Sequence, residues 1–417
     1  MQLCLFEDNA VNFLEPLIYS RGVYNLICGG SSLKDKILRA YPGVNYSLHC
    51  REYLAPIIKE QNPGIPVNEI LGDSCLFING RVIAGMNLSS VIPLNDNEDK
   101  LYLNNNNDLV AARLSGNNLK KFKQNLNIPF ELPLFPTVPK EDVDVKTAGF
   151  IWDLIRENNA ELISDINYLA SKNLFHNHLA GVHLINKDNI FIEGNAIIKP
   201  GVVLDASNGP IYIGDNSVVF PNSVIIGPVY IGRSTLIKSL AKIYENISIG
   251  DVCKVGGEVE DSIIMSYSNK QHDGFLGHAY LGSWINLGAD TNCSDLRNNY
   301  GFVKVHVNGQ EINTKSQFLG LIMGDHSKTG INTMFNTGTI VGFSCNIYGS
   351  GFPSKYLPSF SWGGSDNLQT YNVDKCLDTA KVVMSRRKIE FKKTDEDLFR
   401  NIFDFTKNER MIKGLPF

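Results

Sequence analysis

The sequence lacks the features that mark a membrane-spanning or nucleic-acid-binding protein. No apolar stretch among its 417 residues approaches the length of a membrane span, and no polybasic tract occurs. Its 39 lysines and arginines nearly balance 43 aspartates and glutamates. A nucleic acid or an anionic membrane surface is therefore not expected as a partner.

Export signals and cysteine pairs are also missing. The opening run, residues 1–14, carries acidic side chains where a secretory signal would carry basic ones, and its apolar part is too short for export. The eight cysteines are scattered without CxxC pairs or other zinc-binding spacing. We expect reduced cysteines in a cytoplasmic protein.

The sequence does contain an apolar ladder with a strict period. A helix repeats its apolar face near every 3.6 residues and a strand every two, so a spacing of six predicts short strands and turns coiled into a solenoid. Three hexapeptides would form one triangular coil of about 18 residues, with the ladder pointing inward. The ladder residues are Ile213, Val219, Ile225, Ile231, Ile237, Ile243, Ile249 and Val255.

The ladder is interrupted, and the interruptions carry information. The spacing is lost between Val255 and Phe275, which predicts something other than a regular coil there. An excursion at 297–316 follows. Loops on a rigid scaffold often carry sites, so the candidate site lies within 256–332. The spacing of six also holds at Ile192, Ile198 and Leu204 before the main ladder, and at Met323, Thr329, Phe335, Val341 and Ile347 after the excursion.

These patterns divide the chain into four segments. The first has the strand and turn pattern of an α/β domain, with strand-like runs at 3–6, 74–78 and 81–85. A helical connector precedes the solenoid, and an amphipathic helical tail caps its open end. The predicted segments are 1–145, 146–181, 182–370 and 371–417.

The densest polar stretch is NKQHDGFLGH, residues 269–278, inside the region where the spacing is lost. A neutral imidazole held in a cleft can accept a proton from an amine nucleophile near neutral pH, which suits acyl transfer from a thioester. A structural or merely solvated histidine is the competing interpretation of this stretch.

The segment 272–292 resembles the acetyltransferase domain of the bifunctional enzymes that make UDP-N-acetylglucosamine. In that family a histidine lies five residues before the glycine of a Leu-Gly pair, as His272 lies before Gly277 here. A closer resemblance is to a variant subgroup of Bacteroidetes-type bacteria. Its sequence blocks recur at 205–214, 253–264, 269–278, 296–301, 319–339 and 357–364.

The resemblance implies a left-handed parallel β-helix that assembles as a homotrimer, with acetyl-CoA between adjacent solenoids. His272 would be the general base that deprotonates the amine of glucosamine 1-phosphate, and Asp273 would orient or polarise it. The implied sugar-phosphate and acetyl ligands are Lys242, Lys254, Lys270, Asn286, Asn298, Asn299 and Tyr300. The implied acetyl-CoA ligands are Gly288, Ala289, Asp325, His326 and Lys328, with His326 as a reserve base.

Three positions depart from the family's pattern. Glu260 aligns with a second sugar-phosphate lysine, Phe275 with a tyrosine and Asp290 with a glycine. A carboxylate in place of an ammonium group would repel a phosphate. The resemblance therefore supports the identity of the substrate less strongly than it supports the type of reaction. Each implied asparagine ligand could equally be an internal ladder or turn-capping residue.

A glycine-rich turn marks the N-terminal segment. Sugar-nucleotide pyrophosphorylases bind the nucleotide phosphates with such a loop and a following lysine. Residues 20–21 and 28–36 resemble the subgroup's version of this motif. This resemblance predicts a nucleotidyltransferase-like domain, and its candidate UTP ligands are Arg21, Gly29, Gly30 and Lys36. A generic Gly-Gly turn with solvated lysines is the alternative.

The metal ligand of such a domain is less well marked. The strand-like run at 74–78 ends in Asn79, which carries no charge and is a poorer Mg²⁺ ligand than aspartate. Asp73 precedes the run and is the candidate ligand.

Two alternative functions stay open. One is an acyltransferase that acts on another sugar, with an N-terminal domain that binds a nucleotide or sugar without catalysis. The other is a non-catalytic or metal-binding solenoid, in which His272, His278 and His326 would converge on a metal across a subunit interface.

Overall fold

The computed structural model describes residues 2–96, 98–170 and 180–415. The N-terminal part is a mixed six-stranded sheet. Its strands, in sheet order, are Tyr46–Leu48, Gln2–Phe6, Ser74–Asn79, Leu109–Ser115, Lys100–Leu103 and Lys140–Asp142. Helices at Leu33–Ala40, Ala55–Gln61, Leu88–Val91 and Gly116–Lys123 accompany it, with 3-10 turns at Asn9–Leu14, Val23–Asn25, Glu52–Leu54 and Leu132–Leu134 and a small ribbon of Ile27–Cys28 and Ser31–Ser32.

Two of the three strand-like runs expected from the sequence, 3–6 and 74–78, are confirmed as strands. The prediction of a strand at 81–85 is wrong. Gln2–Phe6 pairs in parallel with both of its neighbours and is buried along its whole length, as an uninterrupted apolar run predicts. Residues 81–85 form no strand. The chain turns after Asn79 because the guanidinium of Arg81 is buried against Asp8, and only Val82 makes an isolated bridge.

The helix Ile151–Ala170 connects the two halves of the molecule. Its Leu162 and Ile166 pack with Phe191 and Tyr212 of the solenoid. The second part of the expected helical connector, residues 171–179, lies outside the described residues.

A three-sided parallel β-solenoid forms the C-terminal half. We call its sides the covered, open and tail faces. The covered face packs on the N-terminal part. Its strands are Ile190–Ile192, Ile211–Ile213, Val229–Ile231, Ile247–Ile249, Ile263–Ile264, Tyr280–Leu281, Ile322–Met323, Ile340–Val341 and Tyr356–Leu357.

The other two faces stack in parallel in the same way, except that the last tail-face strand, Gln369–Thr370, pairs antiparallel with Ser361–Gly363. The open face consists of His183–Ile185, Val203–Asp205, Val224–Ile226, Lys242–Ile243, Glu258–Glu260, Phe275–Gly277, Asn292–Cys293 and Met334–Phe335. The tail face consists of Ile197–Ile198, Val218–Val219, Leu236–Ile237, Lys254–Val255, Asn269–Lys270, Lys328–Thr329, Asn346–Ile347, Ser361–Gly363 and Gln369–Thr370, with Asn286 bridging Asn269 to Lys328.

The apolar ladder is the core of this solenoid, as predicted. All eight of its residues from Ile213 to Val255 are fully buried. Full burial of one such side chain contributes about 1.5–3 kcal/mol, so the stacked column stabilises the coils along their axis. The parallel solenoid is confirmed, and its left-handed sense stays a prediction.

The parallel coils continue through the region where the spacing of six is lost, although their corners are shorter there. Strands on all three faces continue to pair through this region. Val259 and Ile264 take the inward positions that residues 261 and 267 would occupy in an unbroken repeat. The corners are shorter by one or two residues, and the stacking survives because only the inward and outward alternation of each strand must be kept.

The excursion at 297–316 contains a hairpin of Lys304–Val307 and Gln310–Asn313. Val303, Val305 and Val307 are buried with residues of the N-terminal part and the covered face. The excursion is therefore fixed between the two halves of the molecule.

The tail forms the helices Val373–Ser385, Lys393–Phe405 and Lys407–Ile412. Phe399 packs edge-on against Phe343 of the solenoid with ring centroids 4.8 Å apart. Lys392 pairs with Glu60 of the N-terminal part at 2.5 Å. The tail thus contacts both halves as well as the solenoid end. Among the described residues no helix has the length and apolar character that would carry it across a membrane.

Candidate functional site

His272 and Asp273 lie at the corner where the chain passes from the tail face to the open face, and both are exposed. The backbone beneath them is closely packed. Gly257 of the preceding coil has a φ of 71°, and a Cβ atom there would lie 2.8 Å from the carbonyl oxygen of His272. The corner is therefore fixed while its imidazole and carboxylate face outward.

Lys270 lies beneath this corner and points into the solenoid. It occupies the inward ladder position next to Val255 and is 2% exposed. Its Nζ donates to the carbonyl oxygens of Gly256 at 3.1 Å and His272 at 2.5 Å. Burial lowers the pKa of Lys270 to about 8, although the charges of Asp273 and Asp290 partly oppose it. The predicted phosphate ligand instead holds the backbone of the histidine corner.

Lys242 lies on the open face beside this corner and is exposed. Its Nζ contacts Glu258 Oε2 at 2.6 Å. The hydrogen bond to Glu258 and the charge of that carboxylate raise the pKa of Lys242, and Asp273 adds to the effect. Asp273, the neighbour of the predicted base, is therefore close enough to Lys242 to interact with it electrostatically.

The tail face carries a polar strip. Lys254, Asn269 and Asn286 occupy neighbouring outward positions, and Asn269 Nδ2 donates to Asn286 Oδ1 at 3.3 Å. Arg387 of the tail donates to Asn269 Oδ1 at 2.8 Å. Burial, followed by the positive charges of Arg387 and Lys238, lowers the pKa of Lys254.

Gly288 and Ala289 lie at the same type of corner as His272, one coil further on. The backbone N–H of Gly288 donates to Thr329 Oγ1 at 2.9 Å. The N–H of Asp290 donates to the carbonyl oxygen of Asp273 at 3.1 Å. These corners therefore form one continuous edge of the solenoid.

Asn298, Asn299 and Tyr300 lie in the excursion and are exposed. The carbonyl oxygen of Tyr300 accepts from Gln317 at 2.8 Å. They leave the solenoid after an open-face strand, and the stacked coils do not fix their side chains.

Asp325 and His326 lie at a different corner, between the covered and tail faces. Asp325 pairs with Arg21 and accepts from Ser20, both of the N-terminal part. His326 is 8% exposed, and its Nδ1 has no hydrogen-bond partner among the residues that the structure describes. Burial, with the charges of Lys328 and Arg21, lowers the pKa of His326 well below its ordinary value.

This second corner lines a cleft of about 520 Å³ between the N-terminal part, the solenoid and the tail. Trp284 lies over the His326 ring with centroids 5.9 Å apart. Lys328 Nζ donates to the carbonyl oxygen of His326 at 2.8 Å, and burial lowers its pKa to about 8. The structure thus separates the predicted acetyl-CoA ligands into two corners.

The glycine turn of the N-terminal part binds a carboxylate of the chain itself. Gly29 N–H donates to Asn158 Oδ1 at 2.7 Å, and Gly30 N–H donates to Asp165 Oδ2 at 3.0 Å. Lys36 Nζ contacts the same Asp165 oxygen at 2.7 Å and is almost fully buried. Arg39 contacts the other Asp165 oxygen at 2.7 Å. We call this arrangement the Asp165 nest.

The remaining nucleotide and metal candidates do not meet there. Arg21 pairs with Asp325 of the solenoid. Asp73 is exposed at the amino end of its strand, at the opposite edge of the sheet from Glu7 and Asp8. Ligands of open α/β sheets bind at the carboxyl ends of the strands, so this placement does not support Asp73 as a metal ligand.

Sequence reasoning missed the charged pairs at that carboxyl edge. Glu7 accepts from Arg51 Nε at 3.0 Å, and Asp8 accepts from Arg81 at 2.7 Å. A signal was available, because both carboxylates directly follow the first buried strand.

It also missed a cluster of Glu260, His278 and Asp295 at the corner between the open and covered faces. Burial lowers the pKa of His278, but its hydrogen bond to Asp295 and the charges of Asp261, Asp295 and Glu260 outweigh this effect and raise the pKa. Burial and the charge of Asp295 raise the pKa of Glu260. His272, His278 and His326 lie at three different corners, so they do not converge within one chain.

Comparison with known families shows a match to the model described as sugar nucleotidyl transferase over residues 3–174. The bifunctional sugar-1-phosphate nucleotidylyltransferase/acetyltransferase of Sulfurisphaera tokodaii is 32% identical over 192 residues, which are 45% of this chain and 42% of that protein. The bifunctional protein GlmU of Methanococcus aeolicus is 28% identical over 329 residues, 74% of each chain. That of Methanocaldococcus jannaschii is 27% identical over 306 residues, 68% of this chain and 72% of that protein.

A solved structure, the UDP-N-acetylglucosamine acyltransferase of Francisella novicida, matches 55% of this chain and 86% of its own with 15% identity and a TM-score of 0.31. The sequence matches confirm the resemblance to the bifunctional nucleotidyltransferase–acetyltransferases. They do not address the Bacteroidetes-type subgroup, which stays a prediction. The alignment with the Sulfurisphaera protein spans less than half of that relative, whereas those with the two methanogen proteins span about three quarters of theirs.

Proposed function

We propose, from its similarity to the bifunctional nucleotidyltransferase–acetyltransferases, that this chain is an acetyl-CoA-dependent N-acetyltransferase acting on glucosamine 1-phosphate, fused to a UTP-dependent sugar-1-phosphate nucleotidyltransferase. The two reactions together would make UDP-N-acetylglucosamine. One observation carries the proposal: the similarity to the Methanococcus aeolicus protein extends over 74% of both chains. An alignment of that length cannot be confined to either half of the molecule.

The His272 corner is the proposed site of acetyl transfer. The imidazole accepts a proton from the sugar amine, which attacks the thioester carbonyl of acetyl-CoA. The amide bond forms, the carbon–sulfur bond breaks, and the imidazolium returns the proton to the sulfur, so that coenzyme A leaves as the thiol. Its exposure supports this role, since a substrate can reach the ring. Lys270 supports it from beneath by fixing the His272 carbonyl oxygen.

Lys242 is the proposed sugar-phosphate ligand. It is exposed on the face next to the base, and its ammonium acts as a point charge that can leave Glu258 for a phosphate. Acetyl-CoA would lie along the edge formed by Gly288 and Ala289. Mg²⁺ would serve the nucleotidyltransferase reaction by neutralising triphosphate charge.

A homotrimer is the proposed assembly, in which flat solenoid sides pack against one another. Exposed apolar side chains that point outward from the open face support side-by-side packing, namely Ile185 and Met334. The cytoplasmic location expected from the cysteines stays a prediction.

Release of coenzyme A from acetyl-CoA tests the acetyltransferase half. Glucosamine 1-phosphate, glucosamine 6-phosphate and unphosphorylated glucosamine would be compared at equal concentrations. The proposal expects turnover with glucosamine 1-phosphate above the other two. Turnover that is equal on all three would assign the transfer to another sugar, and no turnover would contradict the proposal.

A second candidate function has its own support in the Asp165 nest. Its donors already bind a carboxylate, which favours an N-terminal part that no longer binds nucleotide phosphates. Pyrophosphate release from UTP and N-acetylglucosamine 1-phosphate separates the two functions. Release by the wild type supports the fused nucleotidyltransferase, whereas its absence alongside intact acetyl transfer supports the second candidate.

A further inference from the structure

Glu260, His278 and Asp295 bring one nitrogen and two oxygen ligand atoms together at the corner between the open and covered faces. These atoms all lie within 4.8 Å of one another. Metal–ligand bonds of about 2.0–2.2 Å place neighbouring ligand atoms about 2.8–3.6 Å apart in an octahedral or tetrahedral site. Small side-chain rotations would therefore close the three residues around a cation.

The solenoid fold builds this cluster from three separate coils. Glu260 ends one open-face strand, His278 follows the next, and Asp295 follows the third. Gly277 permits the approach, because a Cβ atom there would lie 2.5 Å from Asp295 Oδ2. His278 holds a φ of 44°, which turns its ring toward Asp295 Oδ2 at 2.8 Å from Nδ1.

The cluster is also partly enclosed. Asp295 is 7% exposed, and the His278 ring stacks on Phe318 with centroids 4.9 Å apart. Phe318 belongs to the segment by which the chain returns from its excursion, and Leu296 bridges to it directly after Asp295. The cluster therefore lies at the root of the excursion.

The charges of the cluster do not balance. Two carboxylates face one imidazole, and Asp261 Oδ2 lies 3.8 Å from its Nε2. Among the described residues, no lysine or arginine forms an ion pair with Glu260 or Asp295. Buried carboxylates need a cation or a proton to offset their desolvation. A proton on His278 supplies one positive charge, whereas a divalent cation supplies two.

We propose that Glu260, His278 and Asp295 bind a divalent transition-metal ion, and that Zn²⁺ fits their ligand atoms best. One imidazole with two carboxylates is a donor set that suits Zn²⁺ better than Mg²⁺ or Ca²⁺, which prefer oxygen alone. The ion would displace the proton shared by His278 and Asp295 and join three successive coils at the root of the excursion. The cluster lies at a different corner of the solenoid from His272, the proposed base of acetyl transfer.

Titration of the metal-stripped full chain with ZnCl₂ by calorimetry, with Mn²⁺ and Mg²⁺ as comparators, tests the site. The wild type should bind one Zn²⁺ per chain and rise in melting temperature, with weaker binding of Mn²⁺ and no measurable response to Mg²⁺. Glu260→Gln and Asp295→Asn should each weaken Zn²⁺ binding at least tenfold. His272→Ala and Glu311→Gln are matched controls, a histidine and a carboxylate outside the cluster, and should bind as the wild type does.

Glu260→Gln keeps the proposal testable if Asp295→Asn fails to fold, because Glu260 is only half-buried. Its fold is checked by circular dichroism without metal. Wild-type protein without stoichiometric Zn²⁺, or Zn²⁺ binding unchanged in Glu260→Gln, would overturn the proposal. Loss of Zn²⁺ binding in His272→Ala would do the same, because it would place the ion at another corner.

Discussion

The two histidine corners of the solenoid differ in what covers them. His272 and His326 both lie at turns of the same repeating coil, and both directly precede or follow an acidic residue. His272 is open to solvent, whereas His326 lies beneath the N-terminal part and the tail helices. The coil therefore provides equivalent positions at its corners. The elements packed against the solenoid determine which of these corners a substrate can reach.

The largest expected effect separates the two histidines. Replacing His272 with alanine should lower kcat/KM for acetyl transfer by about 10²–10⁴-fold, the usual contribution of a general base. His326→Ala should keep kcat/KM within a few-fold of the wild type and lower the melting temperature, because its ring packs on Phe343 and Phe399. Steady-state kinetics and thermal melting of both variants measure this contrast. Equal losses of activity would remove the distinction between the corners.

The next largest effect concerns the tail helix that covers the His326 corner. Phe399 is 2% exposed and contacts the rings of His326 and Phe343. Phe399→Ala should lower the free energy of unfolding by about 3–5 kcal/mol, because it leaves a cavity in the interface between tail and solenoid. Denaturant unfolding measures the change, and Phe405→Ala, at a half-exposed ring of the same helix, is the control. A smaller loss for Phe399→Ala than for Phe405→Ala would show that the tail does not secure this corner.

The smallest expected effect concerns Lys270, which lies beneath the exposed His272 corner. This effect depends on pH. The pKa of Lys270 falls from 10.5 to about 8 on folding, so between these values the unfolded chain binds the extra proton and stability rises with pH. The rise is at most about 3 kcal/mol for this shift. Lys270→Met should remove that component, which is measured as the difference in unfolding free energy from the wild type across pH 7.5–10.5.

Lys328→Met is a parallel test beside the covered corner, because burial lowers the pKa of Lys328 to about 8 as well. It should remove a component of similar size, which belongs to Lys328, and leave that of Lys270 in place. A pH dependence of Lys270→Met identical to that of the wild type would show that the ammonium is not buried under the His272 carbonyl oxygen.

The sequence predicted the solenoid because its core depends on a local pattern. Each inward residue, such as Ile231 or Ile249, stacks on the equivalent residue one coil away, so the spacing alone identifies the core. The shortened corners around Val259 hid the pattern without breaking the fold. The strand-like run of residues 81–85 misled for another reason, since the buried pair of Arg81 and Asp8 joins residues far apart in sequence.

The candidate sites were predictable only in part, for the same reason. The glycine turn and Lys36 were identified as an anion site, but their partner Asp165 comes from the connector helix, 129 residues after Lys36. Likewise Glu260 and His278 were noticed separately, while Asp295 joins them only through stacking of the coils. Residue types indicate which ligands a side chain can bind, whereas the fold determines which partners lie within its reach.

Chemical rescue of His272→Ala by imidazole tests whether the exposed corner carries the general base. Single-turnover transfer from labelled acetyl-CoA to glucosamine 1-phosphate would be followed with and without imidazole. We expect transfer to fall with the substitution and to recover in part, in a pH-dependent way, when imidazole is added. A wild-type rate in His272→Ala without imidazole would contradict the account.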